Sequence, residues 1–231
     1  MTTLRTQLNT GSPTSGEDCV AVSGCNALLL LSHGAVGPRV VKPPQDPQSV
    51  ASWVRFLRRL ARRPTGPLLV HGDGYEALSS AEVKAAFRSA GLRPPNVEYR
   101  YGMPFGELRA WLADRPDRCA ILPVDYGVAR RDGCPMGSTT FDGGHAIVVT
   151  DVRRKRVRKG RRYVKRWFAT IGDPLMDGRR KPGSTSRYPK GWLTTRLYRY
   201  RRAAGAFGSA PDGTPRPIGF GRTVCILLER G

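Results

Sequence analysis

Ser15-Gly16-Glu17-Asp18-Cys19 runs directly into Val20-Ala21-Val22-Ser23-Gly24-Cys25-Asn26-Ala27-Leu28-Leu29-Leu30-Leu31. The polar cluster supplies two candidate N-caps, Ser15 and Asp18, ahead of a segment of helical length that is apolar on nearly every side. A helix without a polar face is a buried one, so this stretch predicts a central helix with the rest of the chain packed around it. Cys19 then opens the first turn, where unpaired N–H groups and the positive end of the helix dipole favour a thiolate. Two readings of Cys19 stand at this point. It is a nucleophile, or it is a small core residue, the usual fate of a free cysteine.

The chain of 231 residues suffices for one sizeable domain or two small ones. Its 39 Lys+Arg against 18 Asp+Glu leave a net charge of +21, which predicts acidic partners: nucleic acid, anionic cell-wall polymers, a membrane surface or an acidic subunit. No apolar run of roughly 18 residues occurs, so no membrane-spanning segment is expected. Met1-Thr2-Thr3-Leu4-Arg5-Thr6 lacks the charged and apolar regions of a signal peptide. The five cysteines are irregularly spaced and odd in number, which argues against a disulfide framework. With no CxxC pair, and with His33, His71 and His145 far apart, no structural metal site and no cofactor are expected.

Outward from the helix, residues 1–14 form a polar lead-in. Its Gln7 reads equally as an oxyanion donor beside Cys19 or as a solvated loop residue. Gly34 caps the helix C-terminus, and His33 caps or faces solvent. Residues 48–62 read as an amphipathic helix with Trp53, Phe56, Leu57 and Leu60 on the apolar face and Arg55, Arg58, Arg59 and Arg62 on the basic one. Gly72-Asp73-Gly74 reads as a turn with His71 beside it in a loop. Ser79-Ser80-Ala81-Glu82 starts a helix through about Ala90 that Gly91 closes, and 104–112 is a further short helix.

Then the period changes. Arg118–Tyr126, His145–Val152, Tyr163–Ile171 and Thr223–Leu228 read as strands. Helices first and an antiparallel sheet afterwards predict an α+β domain, with a helical part over about 15–115 and a sheet part over about 116–231. Residues 204–222, rich in Gly and Pro, read as a loop or as a segment that wraps a partner. Arg153 to Arg166 holds ten Lys/Arg in fourteen positions, the tip of a hairpin that either contacts an anion or is simply solvated. Arg196, Arg199, Arg201 and Arg202 alternate with Tyr198 and Tyr200, a pattern that also suits nucleic acid, though no recognised nucleic-acid motif accompanies it.

Phe141-Asp142-Gly143-Gly144-His145 puts a histidine at the mouth of an apolar strand, and the next strand ends in Ile171-Gly172-Asp173-Pro174-Leu175. If the two pair as a hairpin, Asp173 returns beside His145. The carboxylate then fixes the imidazole tautomer and leaves the other ring nitrogen to the thiol. In this constellation Cys19 attacks, His145 shuttles the proton and Asp173 orients the ring. The Cys19 N–H and Gln7 hold the oxyanion.

In these residues the chain resembles papain-like cysteine peptidases, whose order runs Gln, Cys at a central helix, His on a strand, then Asn or Asp. It is more closely similar to the compact papain-like domains, related to bacteriocin-processing peptidases, in tail proteins of bacteriophages infecting actinobacteria. The resemblance rests on Asp18-Cys19, Val124-Asp125-Tyr126-Gly127, Gly143–Val149, Gly172-Asp173-Pro174-Leu175 and Tyr188-Pro189-Lys190-Gly191-Trp192-Leu193, and covers roughly residues 5–203. It implies a single papain-like domain over 1–231 with the helix of Cys19 packed on the sheet. It further implies a hydrolase for amide bonds, with a peptide or a peptidoglycan crosslink as substrate, in a virion tail or in the host cytoplasm before assembly. The first alternative is a structural virion protein of the same fold with little or no activity, binding other virion proteins or acidic polymers through Arg153–Arg166. The second is a nucleic-acid-binding module with an incidental triad. Peptidases, amidases and transglutaminase-type acyl transferases share the chemistry.

Overall fold

A computed structural model of the chain describes residues 18–36, 47–62, 73–136, 143–175, 192–206, 218–219 and 221–231. Helix α1 spans Cys19–Leu31, and every residue in it except Cys19 and Leu30 is buried, as a helix with no polar face requires. It ends where His33 and Gly34 take positive φ (52° and 90°) and the Gly34 amide bonds Leu29 O at 2.7 Å, which satisfies an orphan carbonyl. His33 is exposed.

Helices α2 (Pro47–Leu60), α3 (Asp73–Ser79) and α4 (Ala81–Ser89) follow. Asp73-Gly74, expected as a turn, instead opens α3. A Cβ on Gly74 would lie 3.0 Å from Val20 Cγ1 and 3.3 Å from Ile226 Cδ1, so the glycine serves close packing. The Ser80 hydroxyl caps α4 by accepting from Val83 N.

Six strands form one antiparallel sheet in the order β1-β6-β2-β3-β4-β5. They are β1 (Asn96–Pro104), β2 (Arg118–Asp125), β3 (Gly144–Lys159), β4 (Arg162–Gly172), β5 (Trp192–Arg196) and β6 (Arg222–Glu229). The architecture is α+β, but the sheet reaches back into the part expected to be helical. Strand β1 pairs with β6 from Asn96↔Glu229 to Pro104↔Arg222, a partnership no local pattern announces. Three short helices also interleave with the strands: α5 (Phe105–Leu112), α6 (Tyr126–Arg131) and α7 (Arg201–Ala206), the last preceded by a 3-10 turn at Leu197–Tyr200.

Period-two alternation sorts each central strand onto two faces. Cys119, Ile121, Ala146, Val148, Val224 and Ile226 face one core, shared with α1 to α4. Ala120, Leu122, Ile147, Val149, Cys225 and Leu227 face a second core, shared with α5 to α7. Strand β3 changes character at a bulge between Thr150 and Arg153, where Asp151 has φ 52°. Before the bulge β3 is buried, and after it the strand is largely solvent-facing.

Candidate active site

Cys19 is the first residue of α1, and of the five cysteines it alone is not buried. Burial pushes the thiols of Cys119, Cys134 and Cys225 up to about 12, so none of these is a nucleophile at neutral pH. Asp18 occupies the N-cap position without capping. Its carboxylate, fully buried, accepts from Arg58 Nε at 2.8 Å and lies 2.7 Å from Arg58 Nη2. Arg58, expected on the basic face of α2 opposite its apolar one, is an internal residue with 3% exposure. The rest of the expected faces holds: Leu57 is buried and Arg55 and Arg59 are exposed, while the side chain of Trp53 lies outside the described residues.

His145 is the second residue of β3, and Asp173 directly follows β4. The two strands are antiparallel neighbours, so the start of one and the end of the other meet. His145 Nε2 donates to Asp173 Oδ1 at 2.7 Å, both side chains being buried. The same carboxylate accepts from Leu175 N at 2.9 Å and from the Tyr126 hydroxyl. Burial opposes charge on both groups. Even so, the imidazolium, with Tyr126 and Leu175 N–H, holds the Asp173 carboxyl below the usual carboxylate range. Asp173, and after it a hydrogen bond and charge from Cys19, raise the His145 imidazole well above its ordinary value against the same burial. With Nε2 given to Asp173, Nδ1 is the ring nitrogen that the carboxylate does not engage.

Two further residues hold the geometry. Tyr126 opens α6 at the end of β2 and packs edge-on against the His145 ring, with centroids 4.8 Å apart and planes at 77°. The helix itself is started by Asp125, whose carboxylate accepts from Val128 N at 2.7 Å. Ser23, four residues after Cys19 and so on the same side of α1, donates to Ala146 O at 3.1 Å. That bond ties the helix to β3 one residue from His145. Sequence reasoning places Tyr126 in the Val124–Gly127 motif without a role, and gives Ser23 none. The only sequence signal for Ser23 is a polar residue one helical turn beyond the cysteine.

Gln7, the expected oxyanion donor, lies outside the described residues, as do Ser15, His71 and Tyr188–Gly191. The Cys19 N–H stands at the open end of α1, ahead of the first intrahelical bond, Val22 N to Asp18 O at 2.8 Å. Among the described residues no group of His, Cys, Asp and Glu is arranged to hold a metal ion, and no helix is long and apolar enough to cross a membrane. Comparison with protein-family models, with curated proteins and with solved structures gives no match.

Proposed function

We propose that the protein is a papain-like cysteine hydrolase of amide bonds. The observation that carries this reading is the Cys19–His145–Asp173 array, in which the sole unburied thiol interacts with an imidazole oriented by a buried, triply hydrogen-bonded carboxylate. A raised imidazole pKa favours an imidazolium beside the thiol, the form from which acyl transfer starts. The Cys19 sulfur attacks the amide carbon, and the carbonyl electrons move onto oxygen, held by the Cys19 N–H at the open end of α1. His145 gives its proton to the departing amine, leaving a thioester. Water then attacks the thioester, His145 takes its proton, and the carboxylic acid and free thiol are released. The substrate we infer is a peptide crosslink of the cell wall, cut by a tail-associated virion component. Its support is the resemblance, together with a charge of +21 that concentrates the protein on anionic polymers.

One observation favours a second reading, a structural virion protein that docks through its basic hairpin: much of that hairpin stands outside the sheet. Alkylation of Cys19 by iodoacetamide, followed site by site with mass spectrometry, separates the two. The hydrolase reading expects Cys19 to react at pH 6 at least about tenfold faster than in His145→Ala, with Cys25, Cys119, Cys134 and Cys225 silent in the folded protein. It also expects Cys19→Ala and His145→Ala to remain folded and to lose all hydrolysis. Equal alkylation rates with and without His145, or hydrolysis surviving in either variant, rejects it.

A further inference from the structure

Beyond the bulge at Asp151, β3 and β4 leave the sheet as a two-stranded ribbon. Strand β2 pairs with β3 only as far as Thr150, and β5 pairs with β4 only from Phe168 onward. Between those limits the two strands pair with each other alone, from Arg154↔Trp167 to Lys159↔Arg162. The register sets Arg154 opposite Trp167, Arg156 opposite Lys165 and Arg158 opposite Tyr163. Side chains alternate along each strand, so these six share one face. The opposite face carries Arg153, Lys155, Lys159, Arg162 and Arg166 with Val157 and Val164, and its one ring, the half-buried Phe168 at the sheet end, lies under Lys155 at 5.6 Å.

The first face is built of cations against rings. Arg154 lies 5.3 Å from the centre of Trp167, and Arg156 lies 5.1 Å from that of Tyr163. Arg109 reaches Trp167 from α5 at 5.5 Å. The face leads into a cleft of about 450 Å³ whose walls include Phe105, Arg109, Lys165, Arg166, Trp167 and Tyr198, and among the described residues no acidic one lines it. Tyr163 at 63% and Tyr198 at 68% exposure are the two most exposed large aromatic side chains among the described residues.

We propose that this ribbon face and the cleft it enters bind single-stranded nucleic acid. Guanidinium and ammonium groups meet the phosphates, while open rings and guanidinium planes accept unstacked bases. An anionic surface or an acidic protein calls for the charge alone, and the opposite face of the ribbon would serve it equally. A duplex calls for charge and groove shape but keeps its bases stacked, out of reach of the rings. Alternation of ring and cation on one face fits a strand whose bases and phosphates alternate in the same way.

The test is fluorescence anisotropy with a labelled oligothymidylate of about 20 nucleotides, a duplex of equal length, and heparin as competitor, over a salt series. The single strand is expected to bind about tenfold tighter than the duplex. Tyr163→Ala with Tyr198→Ala weakens binding roughly tenfold at an unchanged salt slope, the signature of weakened base stacking. Arg156→Ala with Arg158→Ala weakens binding and lowers the slope by about 0.7 for each phosphate no longer neutralised, and does so more than the equal-charge pair Lys159→Ala with Arg162→Ala. Circular dichroism verifies that each variant is folded. Binding of duplex or heparin as tight as that of the strand, an effect that tracks only the number of charges removed, or intact binding in the tyrosine variant each overturns the proposal. Cys19→Ala binds the strand unchanged, so failure here and failure of the hydrolase reading are separate results.

Discussion

Asp173 draws donors of three kinds: an imidazole, a phenol and a backbone amide. Of these Tyr126 is the informative one, because it touches both members of the pair, donating to the carboxylate and packing its ring on His145. It acts through His145 and Asp173, which makes it a positioning residue. Tyr126→Phe keeps the ring and removes the hydroxyl. Loss of a hydrogen bond to a buried charged group costs about 1.5–3 kcal/mol of stability. We expect kcat to fall roughly 10–100-fold, equivalent to about 1.4–2.8 kcal/mol, with KM little changed. The pH–rate profile shifts with it, since Asp173 loses a donor that favours its charged form. A purely structural tyrosine would lower the melting temperature and leave that profile where it was.

Among the elements, α1 decides the site because its N-terminus carries the thiol, and that end is anchored at two places. Ser23 bonds it to β3, and Asp18 bonds it to α2 through Arg58. The Asp18–Arg58 pair is buried, so its attraction is offset by the desolvation of both ions, and removing one partner is worse than removing both. Arg58→Met should therefore destabilise the protein by about 3–5 kcal/mol in urea unfolding, whereas Asp18→Leu with Arg58→Met should recover most of that loss. If the double variant is as unstable as the single one, the pair is not the reason for the effect. The amphipathic pattern of α2 was legible in the sequence, but the inward turn of Arg58 was not. One cation among Arg55, Arg58, Arg59 and Arg62 is told apart only by a carboxylate forty residues upstream.

At the scale of the molecule, the His145–Asp173 pair links stability to pH. The imidazole is raised in the folded chain, so its contribution is complete below the unfolded value of about 6.5 and is lost as pH rises toward the folded one. The carboxyl is lowered, so its contribution is complete above the unfolded value of about 3.9 and is lost as pH falls toward the folded one. The pair therefore stabilises most between about pH 4 and pH 6.5. Denaturant midpoints measured from pH 5 to 9 should decline on the alkaline side in the wild type, and that decline should flatten in Asp173→Asn. Parallel curves for the two proteins would show that the pair does not govern this range.

What is local could be read from the chain: the buried helix that opens on Cys19, the hairpin that returns Asp173 to His145, the α+β class, and the basic tip at 153–166. Each is carried by residues close in the chain, where apolar periodicity and strand register can be counted. Tertiary structure alone decided that β1 lies beside β6, that Asp73-Gly74 begins a helix, that Arg58 turns inward to Asp18, and that Tyr126 donates to Asp173. These depend on partners 40 to 152 residues apart, from Asp18–Arg58 to Gly74–Ile226. Whether a polar residue faces solvent or a buried partner depends on what the fold brings to it, and its sequence neighbours do not carry that information.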